Sequence, residues 1–68
     1  MRKLRELRQA RRMTQTQLAY LAGLHPQLIS AFERGYAKPY HSQLERLAAA
    51  LGVAVEDLEG DDDERDHA

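Results

Sequence analysis

The sequence predicts an all-α fold, a compact five-helix bundle, and three observations carry that expectation. The 68 residues include no cysteine, so neither a disulfide nor a thiolate metal site can staple a small core. Ala and Leu dominate the apolar residues, with Gln, Arg and Glu prominent among the polar ones, all good helix formers. Apolar residues also recur at three- and four-residue spacing between Gly and Pro punctuation marks. A chain of this length is one domain. It buries only about 60% of the surface its unfolded form exposes, so every core side chain counts.

The first helix is expected from Arg2 to Arg12, where Leu4, Leu7 and Ala10 make a narrow apolar stripe among Arg and Lys. Met13 ends it as a buried loop residue. Thr14 offers a hydroxyl to cap the next helix, and Gln17 three residues on makes a capping box. Leu18, Ala19, Leu21 and Ala22 build its apolar face, and Gly23 stops it in the left-handed conformation. Pro26 suits the first position of a third helix, which runs to about Arg34 and is closed by Gly35. Ile29 and Phe32 face the core with Leu24 from the turn, while Gln27, Ser30, Ala31 and Arg34 point elsewhere.

Tyr36 to Pro39 reads as a loop. From His41 to Leu51, Leu44, Leu47, Ala48 and Leu51 fall at i, i+3, i+4, i+7, and Gly52 ends this fourth helix. A fifth, short helix is expected over Val55 to Leu58, weakly capped because Ala54 has no side-chain oxygen. Gly60 to Ala68 is polar and highly charged, and cannot bury enough apolar surface to offset its ordering entropy. The domain is therefore expected over residues 1–59, with 60–68 as a disordered acidic tail.

The net charge of −1 conceals an asymmetry. Residues 1–46 hold nine Lys/Arg against Glu6, Glu33 and Glu45, a net of +6, and the remainder carries −7. A basic body with an acidic end hints at nucleic-acid contact through one part of the molecule. No apolar run approaches the roughly 18 residues of a membrane span. No uninterrupted apolar stretch follows the basic start either, so a secretory leader is not expected and a cytoplasmic protein is. His25, His41 and His67 lack metal-ligand spacing. With no Cys nucleophile, glycine-rich phosphate loop or Glu/His metal motif, neither catalysis nor a cofactor is expected.

Two short helices joined by Ala22-Gly23-Leu24-His25 form the central motif. A tight glycine turn lets them cross steeply, as in a helix-turn-helix unit, and the second helix then projects a polar outer face. The major groove of B-form DNA, about 12 Å wide, admits one such helix.

On these residues the chain resembles the Cro / C-repressor-like, or xenobiotic-response-element, helix-turn-helix family. The resemblance spans Leu4 to Leu58 and rests on Leu4-Arg5-Glu6-Leu7-Arg8, Met13-Thr14-Gln15, Leu18-Ala19, Ala22-Gly23-Leu24, Ile29-Ser30, Phe32-Glu33-Arg34-Gly35, Lys38-Pro39 and Leu47 to Val53. It implies the five-helix bundle of the phage-repressor DNA-binding domain type, with Pro26 to Arg34 as recognition helix. It further implies a sequence-specific transcriptional regulator, expected to be a repressor, that binds double-stranded DNA as a homodimer.

Residue by residue, the resemblance implies that Pro26, Gln27, Leu28, Ser30 and Ala31 face the groove or its edge. Gln15 would hold a phosphate and also touch the recognition helix, Lys38 would lie along the backbone, and Arg8 and Glu33 would form a structural ion pair. Thr14, His25, Arg34 and Tyr36 are further phosphate candidates. Gln27 has the chemistry for a two-pronged bond to adenine, whereas Leu28 and Ala31 can offer only apolar contact with a thymine methyl. Gln15 joins an amide donor to the positive end of a helix dipole. Pro26 and Ala31 stand where many relatives carry polar readers, which points to modest specificity or to reading of DNA shape.

Leu28 reads either as a DNA or dimer contact or as the edge of the core. Val55 and Leu58 are dimer-interface candidates, Leu58 alternatively closing the core. Two readings compete with the regulator: an antitoxin or controller protein that also binds a protein partner, and an interaction module that keeps the fold.

Overall fold

The computed structural model describes residues 1–59, and the expected acidic tail, with His67, lies outside them. Four α-helices run in order: α1 (Arg2–Ala10), α2 (Gln15–Ala22), α3 (Pro26–Arg34) and α4 (His41–Leu51), with no strand among the described residues. The expected fifth helix is instead a three-residue 3₁₀ turn, Val55–Asp57. Its backbone bonds join residues three apart, Asp57 N–H to Ala54, Leu58 N–H to Val55 and Glu59 N–H to Glu56. The Asp57 carboxylate accepts the Ala54 N–H at 3.0 Å, which satisfies the first unpaired donor of this short turn.

α1 stops two residues earlier than its composition suggests. Arg12 takes a left-handed conformation with φ of 57°, and Met13 N–H reaches back to the Arg8 carbonyl at 3.1 Å. The Arg8 guanidinium in turn donates to the Met13 carbonyl at 2.7 Å, fastening the turn from the side. α2 begins with the full capping box: Thr14 Oγ1 accepts the Gln17 N–H at 3.0 Å, and Gln17 Oε1 accepts the Thr14 N–H at 2.8 Å. It ends at Gly23, where φ of 71° lets Leu24 N–H bond back to Ala19 O at 2.9 Å.

α2 packs on both α3 and α4, and α1 lies against α3. Leu4, Leu18, Ala19, Ala22, Ile29, Phe32, Leu44, Leu47, Ala48, Leu51 and Leu58 form one buried cluster, with Leu7, Met13, Leu24, Leu28 and Val55 half-buried around it. One expectation changes here, and one open alternative is decided. Leu21, placed on the buried face, is 56% exposed beside Tyr20, because α2 turns only one side to its two neighbours and Leu18, Ala19 and Ala22 fill it. Leu58 is fully buried beneath α4, so it closes the core and offers nothing to an interface. No helix among the described residues is long and apolar enough to cross a membrane.

Candidate nucleic-acid interface

α3 is held rigidly from behind and left open in front. Ile29 and Phe32 anchor it in the core, exposing 0% and 1% of their surface. On the opposite side Gln27 and Arg34 are exposed and Ser30 and Ala31 half-exposed, all within one stripe at i, i+3, i+4, i+7. Pro26, at the first helical position, is half-buried. Leu28 packs against the core while keeping part of its surface open.

The start of α3 has an uncommon cap. His25 Nδ1 accepts the Gln27 N–H at 3.0 Å, which leaves the proton of the neutral ring on Nε2. The imidazole is exposed, so Nε2–H is a donor available beside the reading face. The cap satisfies one of the N–H groups that a helix start leaves unpaired.

Behind that face, one carboxylate ties three helices together. Glu33 Oε2 accepts Arg8 Nε–H at 2.6 Å, and Oε1 accepts both Arg8 Nη2–H at 3.1 Å and Gln15 Nε2–H at 3.0 Å. The Arg8 and Glu33 side chains are only 11% and 4% exposed. Such a two-pronged pair fixes orientation as well as distance. Gln15, expected at a phosphate, thus spends one amide hydrogen inside the domain and presents the remainder of its amide from the start of α2. Thr14 uses its oxygen as a cap acceptor and keeps its hydroxyl hydrogen.

The remaining phosphate candidates lie at the last residue of α3 and in the loop after it. Arg34 is exposed with its guanidinium carbon 5.9 Å from the centre of the Tyr36 ring, a cation–π distance. Tyr36 and Tyr40 are both more than three-quarters exposed. Lys38 is exposed between them. Among the described residues neither Arg34 nor Lys38 has a carboxylate partner, so both charges face solvent. No cluster of three or more metal-ligating side chains occurs there either. Spacing on α3 alone does not reveal Arg5 and Gln9 of α1, which share a polar cleft with Gln15, Ser30 and Arg34.

A recognised family model, described as a helix-turn-helix domain, matches residues 2–68. The chain belongs to the helix-turn-helix domain family. It is 43% identical over 56 residues to RghRB of Bacillus subtilis (strain 168), described as an uncharacterized HTH-type transcriptional regulator. That match takes in 81% of this chain but only 40% of the Bacillus protein, so the chain spans less than half of that relative. Its fold matches the restriction-modification controller protein C.AhdI of Aeromonas hydrophila with a TM-score of 0.82 and 35% identity, over 84% of this chain and 86% of the other. The Cro / C-repressor resemblance drawn from the sequence agrees with these findings.

Proposed function

We propose that this domain is a DNA-binding transcriptional regulator that acts as a repressor, with α3 lying in the major groove. The observation that carries the reading is the outer stripe of α3. Gln27, Ser30, Ala31 and Arg34 face outward on a helix locked by Ile29, Phe32 and the Glu33 carboxylate. Gln27, in the first turn, would read adenine, and Ser30 would serve as a second polar reader. Ala31 and the open part of Leu28 would contact thymine methyl groups, and Pro26 would pack at the groove edge. Arg34 at the end of that stripe, with Thr14, Gln15, His25, Tyr36 and Lys38, would bind phosphates, which fix register rather than sequence.

One recognition helix reads few base pairs, so the reading includes a homodimer with its two α3 helices about 34 Å apart. With Leu58 in the core, the half-buried Val55 and the adjoining part of α4 would carry that contact. A cytoplasmic location follows from the same role. The test is a titration of the folded protein against duplex DNA upstream of its own gene at several salt concentrations. A steep fall of affinity with salt is expected. A folded protein that binds no duplex at low salt overturns the reading.

The similarity to C.AhdI favours a more specific version, a controller protein that regulates a neighbouring gene pair. Restriction and modification genes beside the coding sequence would support it. A neighbouring toxin gene would instead point to an antitoxin that also binds a protein partner.

A further inference from the structure

We propose that the cleft between α1 and α3 seats a backbone phosphate of the bound duplex, with Arg5, Gln9 and Arg34 as its donors. The inference rests on the DNA-binding reading and extends the contact surface to a helix outside the helix-turn-helix unit. The cleft encloses about 350 Å³, and Arg5, Gln9, Gln15, Ser30 and Arg34 line it above the Arg8–Glu33 pair.

Its charge favours an anion. Glu33 is the single acid lining the cleft, and both of its oxygens are occupied by Arg8 and Gln15. Arg8 is neutralised by the same bonds. Arg5 and Arg34 therefore remain as two guanidinium groups with no carboxylate partner among the described residues, and the Gln9 amide has no hydrogen-bond partner there. Two guanidinium forks and an amide match the tetrahedral oxygens of a phosphate.

Position favours the duplex over a free anion as the source of that phosphate. Ser30 and Arg34 line the cleft and also belong to the outward stripe that contains Gln27 and Ala31. A duplex that takes this stripe into a groove about 12 Å wide carries one phosphate wall past the α1 side of α3. Arg5 and Gln9, four residues apart on α1, meet that wall from the far side of the cleft.

The test compares wild type, Arg5→Ala, Gln9→Ala and Arg11→Ala by fluorescence anisotropy, on the upstream duplex and on a scrambled one, from about 50 to 200 mM salt. Arg5 and Arg11 are both exposed on or just past α1, so each variant removes one charge without touching the core. Arg11 lies in a different groove, with Met13 and Tyr20, and serves as the charge control. Arg5→Ala is expected to weaken binding about 5- to 10-fold on both duplexes and to lower the log–log salt slope by about 0.9, one phosphate's share. Gln9→Ala is expected to weaken both equally with the slope unchanged.

An Arg5→Ala variant that behaves like Arg11→Ala, with wild-type DNA binding intact, overturns the proposal and leaves the DNA reading standing. Absence of duplex binding by the wild type overturns both. Inorganic phosphate titrated into the free protein separates the sources. Saturable amide shifts at Arg5, Gln9 and Ser30 below about 1 mM would assign the cleft to a free anion and overturn the duplex phosphate.

Discussion

Replacing Glu33 with Ala removes the carboxylate on which α1, α2 and α3 converge. The change leaves the Arg8 guanidinium, 11% exposed, with the Met13 carbonyl as its one remaining partner, and releases the Gln15 amide. Removing one side of a buried ion pair costs about 3–5 kcal/mol, because the other charge stays buried and unpaired. The surviving bond to Met13 and the residual solvent access place the expected loss near the lower end, about 3 kcal/mol. A chain of 68 residues has a total stability of about 3–10 kcal/mol, so this loss is a large fraction of it. In a thermal melt followed by circular dichroism, Tm should fall by about 12–24 °C. The double variant Arg8→Met/Glu33→Leu should recover most of the loss, since an apolar pair leaves no buried charge behind. A Glu33→Ala protein that melts within about 2 °C of wild type would refute this account of how the three helices are joined.

Leu58→Ala should cost about 3 kcal/mol in urea denaturation, independent of protein concentration, because the side chain is fully buried. A loss that grows on dilution would instead place Leu58 at a subunit contact. Arg12→Gly should stabilise by about 0.5–1 kcal/mol, as φ of 57° is strained for arginine and open to glycine. An unchanged or lower urea midpoint would contradict that. Gly23→Ala should destabilise by about 1 kcal/mol through its φ of 71° alone. The added Cβ meets only the flexible Arg46 guanidinium at 3.7 Å, so a loss much above this would reveal a clash that the geometry does not contain.

The parts of the fold that could be read in the sequence are those where a residue acts through its own backbone chemistry. Pro26, Gly23, Gly35 and Gly52 mark helix ends because their φ preferences differ from those of other residues, and α3 and α4 have the expected limits. The end of α1 was hidden because Arg11 and Arg12 are good helix formers. The stop comes from a left-handed arginine and from Arg8 reaching across to Met13. Leu21 misled because four apolar residues crowd eight positions of α2, and only packing decides which of them turn inward. Leu58 likewise depends on the turn beneath α4.

The same division applies to the candidate site. Its outer stripe follows from Ile29 and Phe32 being core, which fixes where Gln27 and Ser30 must point. The Gln15–Glu33 bond was legible only through the family resemblance, and the cleft that Arg5 and Gln9 of α1 share with Ser30 and Arg34 of α3 joins separate helices, which no local spacing encodes.

If the outer stripe of α3 reads base edges, removing the Gln27 amide must blunt that reading. Gln27→Ala leaves the core, the His25 cap to the backbone N–H and the Glu33 network in place. Binding of wild type and variant is compared on the upstream duplex and on duplexes with single base changes, at fixed salt. The variant is expected to lose about 1–3 kcal/mol of discrimination at one base position while its affinity for scrambled DNA is unchanged. Equal discrimination by both proteins at every position would contradict it.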